Sequence, residues 1–237
     1  MSAHPAYCEN FFALNFGGTR SDKSFSLKSS QGKDVHCNFF GQSSFSRHAI
    51  VAANSMVKVP ADTDLRLYAP LGCGLQTGAG AIFNTLSVTK GSSLAVWGVG
   101  PVGLAAIMAG VIIGSTTIIA IDLQPDRLKL AKSLGATHVI NGSDEDAVAR
   151  VIELSKGKGV NFAVDCTGVP KVVENMINTL GTRGRGCTVG APKPGAVASI
   201  DILTHLSRGR EYIGCTEGDC VPSKVRDIST DLHPTNI

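Results

Sequence analysis

From Leu94 onward the chain alternates short apolar runs with longer stretches whose apolar residues recur at helical spacing. Leu94 to Trp97, Thr117 to Ile121, His138 to Ile140, Phe162 to Cys166, Cys187 to Gly190 and Tyr212 to Cys215 have the length and apolar density of buried strands. Val102 to Ile113, Pro125 to Leu134, Asp144 to Ser155, Val169 to Leu180 and Ile200 to Ser207 predict the helices between them, with Asp144 as an N-cap and Gly135 as a stop after Leu134. Strands joined in this way by helical crossovers predict an α/β fold with a doubly wound parallel sheet. Upstream the texture changes. Residues 1–66 are rich in Ser, Asn, Gly and Phe, and alternating runs such as Phe45 to Val51 predict irregular β structure. Asp64 to Leu86 reads as helix broken by Pro70, Gly72, Gly74, Gly78 and Gly80, a segment that joins the two regions.

The first predicted strand runs directly into Gly98-Val99-Gly100-Pro101-Val102-Gly103, an unbroken G-x-G-x-x-G. Such a triplet alone marks no more than a glycine-rich turn, and methyltransferase-type folds use a similar loop. Here strand, glycine loop, helix, second strand and the acidic Asp122 follow in the order of a dinucleotide-binding βαβ unit. Gly98 permits the tight turn, Gly100 leaves room for the backbone to approach a pyrophosphate, and Gly103 lets the helix lie close on the sheet. The helix N-terminus offers unpaired N–H groups and a positive dipole end to the pyrophosphate. Asp122 stands where a carboxylate accepts the hydroxyls of an adenosine ribose and repels a 2′-phosphate, which favours NAD over NADP.

Composition narrows the function classes. The chain has 237 residues, 43% of them hydrophobic, which is ample for a packed core. Its 22 basic and 19 acidic residues leave +3, and aromatic residues make up 5%, so neither nucleic acid nor a membrane surface is indicated as a partner. Seven cysteines without a C-x-x-C pair, and no signal peptide at the start, predict reduced thiols in the cytoplasm.

Leu71-Gly72-Cys73-Gly74-Leu75-Gln76-Thr77-Gly78 ahead of the glycine loop, with His4-Pro5-Ala6-Tyr7-Cys8 and Phe39-Phe40-Gly41-Gln42-Ser43-Ser44-Phe45, resembles the zinc-dependent medium-chain alcohol dehydrogenases, and among them the aryl-alcohol, benzyl-type branch. The resemblance runs from about residue 4 to about residue 219. It implies a partial, mostly β GroES-like catalytic domain over residues 1–75, a Rossmann domain over 76–220 and an irregular tail over 221–237. It further implies that Cys73 is a catalytic zinc ligand, that Cys8 belongs to a structural zinc lobe, and that Asp122 and Arg127 contact the adenosine ribose. Cys166-Thr167-Gly168 and Val189-Gly190-Ala191 would flank the nicotinamide half, and Phe39 and Phe40 would line the pocket for an aryl or allylic alcohol. By the same resemblance the family's other catalytic cysteine and its histidine belong upstream of Met1, so Cys73 and Cys8 are expected to lack their zinc partners and the chain to be cut at both ends.

Other residues have plainer readings. His36 and His48 read as solvated or core histidines, Phe11 and Phe12 as core packing, and Cys37, Cys166, Cys187, Cys215 and Cys220 as unpaired, buried thiols. Lys156 and Lys158, around Gly157 and before Gly159, read as a solvated turn and not a phosphate site. Two functions remain open: an NAD-dependent, zinc-assisted oxidoreductase converting a small alcohol to an aldehyde, or a dinucleotide-binding module without catalysis. Pairing through the sheet edge near Tyr212 to Cys215 would give a homo-oligomer.

Overall fold

The computed structural model describes residues 6–42 and 47–221. The chain divides between Thr63 and Asp64 into two compact units. Of the expected tail, residues 222–237 lie outside the described residues.

In the first unit, helix α1 (Phe11–Phe16) precedes an antiparallel pair, β1 (Leu27–Lys28) and β2 (Asp34–Val35), in which Leu27 faces Val35. Isolated bridges join Gly18 to Asn38 and Phe39 to Gln42. Its one buried side chain among the described residues is polar: Asn38, whose Oδ1 accepts from the Ser26 hydroxyl at 2.7 Å. The β structure expected from the alternation at Phe45 to Val51 is not formed over residues 47–51, while residues 43–46 lie outside the described residues. Alternation supplies a face to bury but no partner for the backbone hydrogen bonds of a strand, and among the described residues no neighbouring strand offers one.

The second unit opens with α2 (Leu65–Tyr68), capped by Asp64, whose Oδ1 accepts from the N–H of Arg66 at 3.0 Å. A 3-10 turn over Ala69–Gly72, helix α3 (Gly74–Gly80) and a π turn over Ala81–Thr85 follow. Strand and helix then alternate: β3 (Ser93–Trp97), α4 (Pro101–Ile113), β4 (Thr117–Asp122), α5 (Pro125–Ser133), β5 (His138–Asn141), α6 (Ala147–Leu154), β6 (Val160–Asp165), α7 (Pro170–Thr179), β7 (Leu180–Thr188), α8 (Ile202–Arg208) and β8 (Glu211–Gly214), closing with a 3-10 turn at Glu217–Asp219. The six strands form one parallel sheet in the order β5-β4-β3-β6-β7-β8. Strand order reverses between β3 and β6, which opens a crevice at their C-terminal ends.

Both faces of the sheet are covered, which is why the middle positions of the central strands, Leu94 to Trp97, Ile118 to Ile121 and Phe162 to Val164, are continuously apolar instead of alternating. Leu94, Val96, Ile118, Ala120 and Val164 pack on one side with residues of α3 and α4, while Ala95, Trp97, Ile119, Ile121 and Ala163 pack on the other with Val151, Val173, Met176 and Ile177. Two elements differ from the sequence expectation. The cap of α6 is Asp146, whose Oδ1 accepts from Val148 and Ala149 at 2.9 and 3.1 Å; Asp144 instead accepts from the Asn141 amide at 2.7 Å and closes the preceding loop. Strand β7 starts at Leu180, well before Cys187, and its pairing with β6 shifts register between Val160 and Phe162, with Arg183 at φ 56°. A glycine-arginine run carries no apolar strand signal, so only the pairing reveals it.

Helix α4 is apolar around its whole circumference because it lies between the sheet and α3. Glycine makes that closeness possible: a Cβ on Gly78 would stand 2.0 Å from the Val102 carbonyl oxygen, and one on Gly110 would stand 2.9 Å from Leu94. Gly78→Ala is therefore expected to lower stability by about 1–3 kcal/mol, as overpacking does, seen as a lower urea midpoint. An unchanged midpoint would mean that α3 can withdraw from α4 at no cost.

Candidate functional site

The crevice at the strand reversal is built from three loops. In the first, Gly98 adopts φ 86°, and a Cβ there would meet the Thr167 methyl at 2.6 Å. A Cβ on Gly103 would lie 2.1 Å from the Gly98 carbonyl oxygen, so the start of α4 presses on the turn that feeds it. A Cβ on Gly100 would meet nothing within 4 Å. That open space lies at the N-terminus of a 13-residue helix with Pro101 in its first turn, where unpaired N–H groups and the dipole favour an anion. The residues present fit the pyrophosphate of a dinucleotide: two glycines create the cradle and the third leaves it empty of side chain.

Asp122 ends β4 with its side chain 7% exposed. Its Oδ2 accepts from the N–H of Val99 at 2.8 Å, and its Oδ1 accepts from Leu123 and Gln124 at 2.8 and 2.9 Å. Arg127 stands 3.8 Å from Oδ2. Most of the carboxylate's capacity of about four hydrogen bonds thus serves the main chain, which fixes its orientation and leaves Oδ2 with room for a further donor.

On the other side of the crevice, Asp165 at the end of β6 is fully buried. Its Oδ1 accepts from the Thr167 N–H and hydroxyl at 2.9 and 2.6 Å, its Oδ2 from Gly168 at 3.1 Å, and its main-chain oxygen from Val189 at 2.9 Å. Gly168 and Gly190 touch so closely that a Cβ on Gly190 would lie 2.0 Å from the Gly168 nitrogen. Cys166, Thr167, Gly168, Val189, Gly190 and Ala191 are thereby held together as two adjoining loop starts. Asp165 was not singled out in the sequence; its position directly ahead of Cys166-Thr167-Gly168 was the available signal. Burial, reinforced by Asp165, pushes the Cys166 thiol far above its ordinary value, and Cys187 is raised well up by its hydrogen bond with Cys215 and by burial. These thiols are structural and poor nucleophiles. Cys187, Cys215 and Cys220 are buried as expected, while Cys37 and Cys166 are half-buried.

Cys73 precedes α3 and is exposed, with its thiol pushed up by partial burial and by the Glu217 carboxylate. Glu217 itself accepts from the Gln76 amide at 3.0 Å. Among the described residues no three His, Cys, Asp or Glu side chains converge as a metal site. The described residues do not fit the three protein ligands that a catalytic zinc takes.

The remaining candidates lie in the first unit. Cys8 is exposed. Phe39 and Phe40 stack edge to face at 4.8 Å, with Phe40 at φ 53°, and join Phe11, Phe12 and Phe16 in one aromatic cluster. The core packing expected for Phe11 and Phe12 is not found: Phe12 is 77% exposed, because the short α1 buries none of its residues. His36 packs edge-on against Phe25.

Residues 101–232, more than half of the chain, match the description of the zinc-binding dehydrogenases. The chain belongs to that family. It is 36% identical over 230 residues to a geraniol dehydrogenase from Castellaniella defragrans, covering 97% of this chain and 62% of that protein. Among solved structures it is similar to an alcohol dehydrogenase zinc-binding domain protein from Burkholderia ambifaria, with 46% identity and a TM-score of 0.90 over 98% of this chain and 64% of that one. It is similar also to benzyl alcohol dehydrogenase from Acinetobacter calcoaceticus, with 42% identity and a TM-score of 0.89 over 98% and 63%. The chain thus spans a little under two thirds of the length of these family members. Among the described residues no helix is long and apolar enough to cross a membrane.

Two outcomes follow for this member of the family. Asp165→Asn replaces one carboxylate oxygen with an NH₂ group, a donor set against a donor of the loop, and is expected to cost about 1–3 kcal/mol, read from chemical denaturation; wild-type stability would show that the loops hold without it. Glu217→Gln removes the negative charge beside Cys73, so the thiolate forms more easily and the pH profile of Cys73 alkylation is expected to move to lower pH. A profile left in place would remove Glu217 as a cause.

Proposed function

We propose that this chain carries the NAD-binding half of an alcohol dehydrogenase that oxidises a primary aryl or allylic alcohol to the aldehyde. The observation that carries the reading is the crevice itself: an open cradle at Gly100 on the N-terminus of α4, flanked by the anchored Asp122 and by the Asp165-ordered loops. NAD, when bound, supplies the hydride acceptor. The chain's own residues do the positioning. The first turn of α4 holds the pyrophosphate without a cation, the free face of Asp122 Oδ2 and the neighbouring Arg127 receive the adenosine ribose, and Thr167 with Val189 to Ala191 bounds the nicotinamide end. A carboxylate at Asp122 opposes a 2′-phosphate, although Arg127 offsets part of that charge, so the preference for NAD is expected to be finite. Cys73 and Cys8 would serve as zinc ligands only with partners beyond the described residues.

The alcohol class is supported by two relatives, named for benzyl alcohol and for geraniol, and by the aromatic pair Phe39 and Phe40 as pocket residues. The division into a catalytic region over residues 1–75, a dinucleotide-binding region over 76–220 and a tail belongs to the same reading. Self-association is proposed through β8, the edge of the sheet, beside which Ile202, Leu203 and Leu206 of α8 are 80%, 73% and 74% exposed. The second reading, dinucleotide binding without turnover, is favoured by the incomplete ligand set around Cys73.

Titration with NADH, followed by nicotinamide fluorescence, is expected to saturate, and Asp122→Asn is expected to weaken binding by about tenfold, an effect of 1.4 kcal/mol, while narrowing the gap to NADPH. No response from the wild-type chain would remove the cofactor assignment. Zinc analysis with a benzyl alcohol and NAD assay separates the two readings: stoichiometric zinc and aldehyde formation select the dehydrogenase, and NADH binding without either selects the binding module.

A further inference from the structure

The opposite end of the sheet holds a second cleft that the dinucleotide does not use. Its volume is about 440 Å³, and it is formed where the turn before β6, the start of β7 and the end of α8 meet. Lys158, Asn161, Thr182 and Arg208 line it, together with the main chain of Gly159 and Gly181. Every one of these side chains can donate a hydrogen bond, and none is acidic. Asn161 is oriented without ambiguity, because its Oδ1 accepts from the Ser93 N–H and hydroxyl, both at 2.9 Å, which leaves its NH₂ group free. Lys158 and Arg208 have no carboxylate partner among the described residues. The nearby Glu211 is already held by Arg185 at 2.9 Å and Arg183 at 3.7 Å.

A further cation, Arg210, follows two residues after Arg208. Arg210 is 7% exposed, gives a single hydrogen bond to the Asn178 carbonyl at 3.3 Å, and buries its Nε without a partner. Burial and the adjacent Arg208 both weaken its hold on a proton. Lys158 and Arg208, without a carboxylate partner and set in a half-closed cleft beside neutral donors, are the complement of a compact oxyanion.

We propose that the cleft binds a phosphate group, free or on a small metabolite, between Lys158 and Arg208, with the Asn161 amide and the Thr182 hydroxyl as further donors. The turn around Gly157, which reads in the sequence as merely solvated, becomes one wall of a site once β7 and α8 are folded beside it. Strand β6, with six residues, separates this cleft from the dinucleotide crevice by about 20 Å, so both can be filled at once. A bound phosphate would tie β6, β7 and α8 together and restrain the edge of the sheet.

Amide spectra of the full chain, titrated with phosphate at constant ionic strength, test this. Saturable shifts are expected at Gly157, Gly159 and Gly181, separable from any at Gly98 to Gly103, where phosphate can occupy the pyrophosphate cradle. Arg208→Gln and Lys158→Gln are each expected to weaken the first set by roughly tenfold and to leave the second unchanged. Lys158 is exposed, so its variant keeps the test open if the half-buried Arg208 proves necessary for folding. Glycerol 3-phosphate binding more tightly than inorganic phosphate would identify a metabolite as occupant, and equal binding would identify the phosphate group alone. Absence of saturable shifts at the three glycines, or shifts indifferent to both variants, would overturn the proposal.

Discussion

The hydrogen bond from Val99 to Asp122 is the contact on which the crevice at the strand reversal depends. It joins the turn after β3 to the end of β4 at 2.8 Å and so fixes where α4 begins relative to the sheet. Once that turn is fixed, Gly98 must take φ 86° and Gly103 must sit against the Gly98 carbonyl, since a Cβ at either position has no room. The open cradle at Gly100 is the product. A carboxylate so close to an anion site would ordinarily oppose it, yet here three backbone N–H groups absorb the charge and Arg127 stands beyond them. The positive end of α4 is left to act on the ligand alone.

The same device recurs across the crevice. Asp165 is fully buried and gathers Thr167 and Gly168 through its carboxylate, while its main-chain oxygen takes Val189 and Gly190. Each half of the crevice is thus shaped by an acid at a strand end that accepts from its own loop. Buried carboxylates of this kind exchange solvation for several directed N–H donors, and they rigidify what they touch. The glycines make the close approaches possible, and the acids decide which approach is taken.

How much of this was legible in the sequence follows from what each feature depends on. Strands β3, β4 and β6 were readable because burial on both faces demands continuous apolar residues, and Gly98 to Gly103 with Asp122 because their spacing is itself the geometry. Strand β7 was hidden, since Leu180 to Gly186 owes its extended form to pairing with β6 and carries little apolar signal of its own. The cap of α6 slipped from Asp144 to Asp146 because both residues suit the role, and only the path of the chain out of β5 chooses between them. Asp165 escaped notice because an acid at the end of a strand is unremarkable until its burial is known. In the first unit, Phe11 and Phe12 promised core packing, but rings that gather around a six-residue helix stay partly exposed.

The two ends of the sheet also differ in how charge is treated. At the C-terminal ends of the strands, negative side chains are enclosed by backbone donors, and the cradle proposed for the pyrophosphate relies on the N-terminus of α4 without a formal charge. At the N-terminal ends of β6 and β7 the donors that line the cleft are side chains, Lys158 and Arg208 among them. A dipole site is little affected by pH and recognises an anion through a fixed array of N–H groups, whereas a cleft of flexible cations is screened by salt and selects by charge. On the two proposals, a shape-defined site for a large, extended ligand is separated from a charge-defined cleft suited to a compact one, and β6 is the element common to both.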